Sequence, residues 1–338
     1  MNMDITTFTP EQSAGQRLMV GFDGTELNAE LKSLISTLKV GGIILFSRNL
    51  IDPDQIKNLC FSMQSYARSC EQPPLLIAID QEGGRVARLK EPFTQFPGNP
   101  KMKGPEDAVY FAKTTAKELS EVGINMNMAP VLDVAPEGIN SVMADRVFGS
   151  DPGWVSEQGR VVIEHLQAKN IMAVAKHFPG IGRTVLDSHF ELPDLDIDVD
   201  AMQGFDLFPF KTAISHDVTG IMLSHIRYTG IDPDWPASLS RIIADDLLRN
   251  EMGYDGVVMT DDLDMGAIEK HYDLKTAIQQ ILSADIDISL ICHTGPNIEN
   301  AFKEILDAQG RSQTMKVKGV KSLERIMRLK SRYLLNLA

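Results

Sequence analysis

A single-domain (β/α)8 barrel of the TIM type is the fold this sequence predicts, on three observations. Eight short apolar runs recur along the chain, segments of helical periodicity separate them, and a polar or charged residue closes nearly every run. Continuous apolar runs of this length suit parallel strands buried on both faces, and barrel enzymes gather their chemistry where such strands end.

The runs lie at 18–22, 41–46, 75–80, 124–131, 171–176, 220–225, 256–261 and 286–292. A helix is expected over 54–69, where Ile56, Leu59, Cys60 and Met63 share a face. Pro105-Glu106-Asp107 opens another with proline and acids in its first turn. Ser238 and Ser240 are candidate caps for a helix over 242–250, and 274–282 is amphipathic. The basic, amphipathic stretch 315–335 is expected to pack as a closing helix. No low-complexity linker divides the chain, so residues 1–338 form one domain in this reading. A doubly wound sheet would need a glycine-rich phosphate loop after the first strand, and Gly21-Phe22-Asp23-Gly24 matches one poorly.

Composition narrows the function. Apolar residues make up 43% of the 338 and charged residues 23%, as in a globular protein with a sizeable core. A formal charge of −13 argues against nucleic acid or an anionic membrane surface as partner. Cys60, Cys70 and Cys292 are sparse and form no CxxC pair, which reads as reduced thiols. Residues 1–16 are polar, without the apolar core of a secretion signal, and no stretch approaches the ~20 apolar residues of a membrane span. A cytoplasmic protein with a small-molecule substrate is expected, its oligomeric state open with a monomer favoured.

The densest chemistry lies at 176–189, KHFPGIGRTVLDSH. Lys176 and His177 follow an apolar run, Pro179-Gly180 and Gly182 shape a turn that lets backbone approach a ligand, and Asp187 stands two residues before His189. That spacing lets the carboxylate hold the imidazole. Other strand ends carry Ser47-Arg48-Asn49, Asp80-Gln81-Glu82, Asp133, Ser224-His225, Asp261-Asp262 and His293. Asp80 to Arg88 reads two ways: groups that hold hydroxyls, with Gly83-Gly84 admitting close backbone, or a structural ion-pair cluster. Asp145-Arg146 shares that ambiguity. Of the acids after the seventh run, at least one should face the barrel mouth, whereas Asp264 reads equally as a helix cap.

These residues carry a resemblance. LIAIDQEGGRVARL, ADRVFG, the 176–189 loop, IMLSHIRY with DPDWPASLS, and VVMTDDLDMGAI resemble, in order, the catalytic domain of glycoside hydrolase family 3, most of all its bacterial β-N-acetylglucosaminidase branch. The likeness runs from about residue 16 to 284. Its most specific element is the loop pattern (Lys/Arg)-His-(Phe/Ile)-Pro-Gly-(His/Leu)-Gly-x4-Asp-(Ser/Thr)-His, from which Ile181 departs with a side chain close to leucine. The resemblance implies a retaining β-N-acetylhexosaminidase needing no metal or cofactor, acting on N-acetylglucosamine-containing muropeptides. It implies Asp261 as nucleophile, His189 as acid/base with Asp187 as its partner, and Asp80, Arg88, Arg146, Lys176 and His177 as sugar-binding residues. It places His225 in the lining of the site. Many members of the family draw their acid from a second domain. Here no room for one is expected after Leu335, and a loop-borne dyad fits.

The chemistry stands without the family. A retaining glycosidase attacks the anomeric carbon with a carboxylate and protonates the leaving oxygen. Histidine titrates near neutrality and can donate, then accept, that proton. Three rivals remain at this stage: a metal hydrolase using His177, His225 and Asp261; a binding protein on an inactive barrel; and a family member for another sugar, or a phosphorylase.

Overall fold

The computed structural model describes residues 5–335. All eight apolar runs become barrel strands: β1 (Leu18–Val20), β2 (Gly42–Leu45), β3 (Leu76–Ile79), β4 (Met126–Asn127), β5 (Met172–Phe178), β6 (Gly220–Leu223), β7 (Val257–Asp262) and β8 (Ile288–Ile291). They close in sequence order, each parallel to its neighbours, with β1 beside β8. Every strand is buried throughout except at Asp261 in β7, because helices cover one face and the barrel interior the other.

The expected helices are present as α2 (Pro53–Ser69), α3 (Pro105–Glu121), α6 (Ile242–Glu251), α7 (Leu274–Ser283) and α9 (Gln313–Leu334). Four more, α1 (Ala29–Ser36), α4 (Pro152–Gln167), α5 (Phe208–Ser215) and α8 (Pro296–Arg311), complete the ring. Helix α6 is wound as a π-helix, and of its two expected caps only Ser240 serves: its Oγ accepts the Ile243 amide at 3.1 Å. Ser238 is buried and bonds His225 instead.

The barrel interior is methionine-rich. Met19, Met126, Met172, Met222 and Met259 pack with Ile44, Leu76 and Val174, and from below with Ile326, Met327 and Tyr333 of α9. Unbranched, adaptable side chains fill a tapering space that branched ones fill poorly. Helix α9 thus stoppers the amino-terminal end of the barrel, as its amphipathic sequence implied. Polar bonds fasten it there. Buried Arg325 reaches Asp287 at 3.1 Å and Asp285 at 2.8 Å, and Arg249 shares Asp287 at 2.7 Å.

Lys330 is fully buried on the same helix, and its Nζ donates to Gln16 Oε1 at 2.6 Å and the Gly41 carbonyl at 2.8 Å. Burial, with neutral acceptors only, pushes its pKa down to about 7. Between that value and the ordinary lysine range the unfolded chain holds a proton the folded one lacks, so this residue makes stability rise with pH across that window and fall as pH drops toward 7. Lys330→Met should remove that contribution. The difference in unfolding free energy between the parent and the variant, measured by urea titration at pH 7 and pH 9.5, should shift toward the parent at the higher pH; a pH-independent difference would refute the assignment.

Candidate active site

The carboxyl ends of the strands open into a cavity of about 460 Å3 lined by Asp80, Arg88, Arg146, Lys176, His177, Ile181, Asp187, His189, Asp261 and Asp262, among others. Of the nine expected site residues, eight meet there. The exception is His225.

One wall is a buried ion network. Lys176 Nζ lies 2.8 Å from Asp80 and 2.7 Å from Glu82; Arg88 pairs with Asp80 at 3.1 Å, and Arg146 grips Glu82 through two nitrogens at 2.7 and 3.0 Å. Two carboxylates face three cations, leaving one positive charge in excess. Burial alone would raise the carboxyls, but Lys176 and Arg88 hold Asp80 well below the carboxylate range, and Lys176 and Arg146 hold Glu82 below it. Burial likewise opposes the charge on Lys176, yet Asp80 and Glu82 keep its pKa above normal. The two readings of this stretch are therefore both true in geometry: an ion-pair cluster, standing in the cavity wall. Asp145 and Arg146 do not pair with each other; Asp145 meets Arg85 at 3.0 Å on the surface. Nor do Gly83 and Gly84 make room for a ligand. They turn a short hairpin at φ +87° and +63°, and a side chain on Gly84 would come within 3.0 Å of Gly98 Cα.

The opposite wall comes from β7. Asp261 takes the Asp262 amide on Oδ1 at 2.8 Å, and among the described residues no hydrogen bond engages its Oδ2. Burial opposes ionisation, but His225, His177, that amide and Lys176 together keep its pKa below the usual range. Asp262 is the reverse case. Its Oδ1 accepts the backbone amides of Asp264 (3.1 Å) and Cys292 (2.9 Å), its Oδ2 lies 3.6 Å from His293 Nδ1, and burial, with the nearby charges of Asp264 and Asp261, pushes it up to about 6. Asp264 is not a helix cap: it receives the His293 amide at 3.0 Å and Asn297 at 2.8 Å.

The 178–190 loop arches over this space. Its glycines serve packing within the protein, not approach to a ligand: Gly180 adopts φ +125°, and a side chain on Gly182 would strike the Val134 carbonyl at 1.9 Å. Arg183 faces away from the cavity and is fastened to buried Asp206 at 2.9 Å, so it is an anchor. Farther on, Asp187 Oδ1 accepts both the His189 amide (2.9 Å) and His189 Nδ1 (2.7 Å). Burial works against the Asp187 charge, but these two bonds outweigh it and lower its pKa. The loop then docks on the start of the Gly266–Glu269 helix, where the amides of Gly266 and Ala267 bond the carbonyls of His189 and Ser188 at 3.1 and 3.2 Å.

His225 sits behind the wall, 1% exposed. Its Nε2 meets the Asp262 carbonyl at 2.8 Å, and a carbonyl only accepts, so this nitrogen carries the proton. Nδ1 then accepts from Ser238 at 2.6 Å. Burial lowers its pKa, against the pull of Asp261. The expectation that His225 lines the site is thus corrected: it braces the backbone next to Asp261. With both nitrogens engaged it has none for a metal, and the His177–His225–Asp261 metal reading does not fit. Among the described residues, Asp262, Asp264 and His293 bring ligand atoms within 4.8 Å of one another, but both carboxylates already hold backbone amides. Two site residues escaped the sequence reading. Glu82 was passed over inside the recognised Asp-Gln-Glu stretch, and Asp133 was noted only as a strand end.

A cavity-facing carboxylate and a carboxylate-held imidazole at the mouth of a (β/α)8 barrel are the groups glycoside hydrolysis requires. The comparisons specify which kind. The N-terminal domain of glycosyl hydrolase family 3 matches residues 9–329, and the chain belongs to that family. A β-hexosaminidase of Alkalilimnicola ehrlichii is 37% identical over 303 residues, 86% of this chain and 84% of that one. The structure of a family 3 β-N-acetylglucosaminidase from Paenibacillus sp. superposes with a TM-score of 0.93 at 36% identity, covering 98% of this chain but only 64% of that one. A β-N-acetylhexosaminidase from Beutenbergia cavernae gives a TM-score of 0.89 at 26% identity over 96% of this chain and 99% of its own.

The ion network makes a graded prediction. Glu82→Gln leaves Lys176 and Arg146 undercompensated in a buried site, where breaking a pair typically costs about 3–5 kcal/mol. Arg85→Ala breaks only the exposed pair with Asp145 and should cost under about 1 kcal/mol. Urea unfolding of both variants tests this; comparable losses would show that Glu82 is not held as described.

Proposed function

We propose that the protein is a retaining β-N-acetylhexosaminidase that removes terminal β-linked N-acetylglucosamine by double displacement. Asp261 is the nucleophile, His189 the acid/base and Asp187 its orienting partner. The observation that carries this reading is the contrast between the two strand-end carboxylates. Asp261 holds one backbone amide and, against burial, His225, His177 and Lys176 keep its carboxyl below the usual range, whereas Asp262 holds two amides on one oxygen and burial pushes it up to about 6. The named activities of the relatives supply the sugar. Muropeptides containing N-acetylglucosamine are the proposed source, with action in the cytoplasm, on the strength of the family resemblance. No described helix is long and apolar enough to cross a membrane.

In the first step Asp261 attacks the anomeric carbon while protonated His189 gives its Nε2 proton to the departing oxygen. Asp187 accepts from Nδ1 throughout and so stabilises the imidazolium before transfer. In the second step neutral His189 takes a proton from water, which attacks the anomeric carbon and releases Asp261. Lys176, Arg88 and Asp80 hold the sugar by charge-assisted hydrogen bonds worth about 1.5–3 kcal/mol each. Arg146, clamped to Glu82, and His177 complete that wall.

His189→Ala should slow cleavage of alkyl glycosides by about 10²–10⁴-fold, since their leaving groups need a proton. Nitrophenyl glycosides should lose far less in the first step, and a burst of nitrophenol should appear as the intermediate accumulates. Equal losses on both substrate types, with no burst, would remove His189 from the acid/base role.

A further inference from the structure

Asp133 is wholly buried at the end of the β4 segment and takes no part in the mechanism above. Its Oδ1 accepts the amides of Ile181 at 2.8 Å and His177 at 3.3 Å, and its Oδ2 meets His177 Nδ1 at 2.8 Å. One carboxylate therefore sets both the backbone at the root of the active-site loop and the ring of a cavity-lining histidine. Such an arrangement fixes more than position. An ionised carboxylate has no proton to give, so Nδ1 must carry one, and in the neutral ring Nε2 is then bare.

We propose that Asp133 is a positioning residue that locks His177 in the tautomer with a protonated Nδ1, presenting Nε2 to the cavity as a hydrogen-bond acceptor. The surroundings explain why an acceptor is needed there. Lys176, Arg88 and Arg146 crowd the neighbouring wall with donors, against which Asp80 is that wall's one carboxylate in the lining and Glu82 lies behind it, bound to Lys176 and Arg146. A ligand group that only donates, such as an amide N–H, or a hydroxyl using its hydrogen, would find only Asp80 on that side without His177. The bare nitrogen supplies one without adding a negative charge beside Asp261. Elsewhere in the cavity lining, Asp261 is the acceptor kept for chemistry in the proposed mechanism, and Ile181 and Met222 are apolar. The proposal deepens the sugar-site reading by assigning the polarity of one contact, and it rests on that reading only for the identity of the ligand.

Two measurements test it. In the unsubstituted protein, the 15N chemical shifts of the His177 ring, assigned by their loss in His177→Ala, should show protonated Nδ1 and unprotonated Nε2 in the neutral form. The reverse tautomer would overturn the proposal whatever the substrate proves to be. Asp133→Asn is nearly isosteric, and its amide turned toward the ring donates to Nδ1, which would drive the proton to Nε2. In that variant the 15N pattern should invert, and kcat/KM on nitrophenyl β-N-acetylglucosaminide should fall about 5- to 150-fold, the range for a lost or mismatched buried hydrogen bond. On a His177→Ala background the same change should add less than about threefold, because its effect runs through the ring. Full additivity in the double variant would make Asp133 a loop anchor alone and defeat the proposal. Should Asp133→Asn fail to fold, the tautomer of the unsubstituted protein still decides.

Discussion

The buried charges at Asp80, Glu82, Lys176 and Arg146 are the constraint around which the site is arranged. Each would be costly alone, and each is tolerable only because the others lie within hydrogen-bond distance. The network joins the end of β3, the hairpin after it, the loop after β4 and the end of β5, so four separate segments must meet before any charge is satisfied. It follows that this wall is set by folding and not by ligand. A site already organised has little reorganisation left to do when a polar ligand arrives. Its single excess positive charge lies in the same cavity as Asp261 and helps keep that carboxylate ionised.

Three histidines near this wall are distinguished by what holds them. His225 has both nitrogens engaged and is left with a bracing role, against the Asp262 carbonyl next to Asp261. His177 and His189 each give Nδ1 to an aspartate, but Asp133 is buried and Asp187 is half-exposed on a loop. The same pairing thus yields a buried wall group in one case and a solvent-reachable imidazole in the other, the one proposed as the proton carrier. Residue type alone does not separate these roles; the partner's surroundings do.

The strands were readable from the chain because barrel strands are buried on both faces, which writes them as unbroken apolar runs. The closing helix was readable because one face meets the methionine-lined interior. The cavity lining was readable where a polar side chain sits directly on a strand end, as at Lys176, His177 and Asp261, or where two partners lie close in sequence, as at Asp187 and His189. It was not readable where partners are far apart along the chain. Arg183, in the densest loop, is held by Asp206 from 23 residues away, and Glu82 by Arg146 from 64 residues away. His225 looked like a wall residue because burial behind a wall leaves no local signature. The loop glycines, expected to let backbone approach a ligand, instead pack against the protein itself, Gly180 against Asp206 and Gly182 against the Val134 carbonyl.

The central claim is that Asp261, and not its neighbour, forms a bond to the sugar. Mass spectrometry after incubation with a slowly turned-over fluorinated N-acetylglucosaminide measures this directly. The sugar should remain attached to the peptide spanning β7, with fragmentation placing it on Asp261, and NMR of an ordinary substrate's first product should show retained anomeric configuration. Attachment at Asp262 or Asp264, or a first product of inverted configuration, would contradict the account.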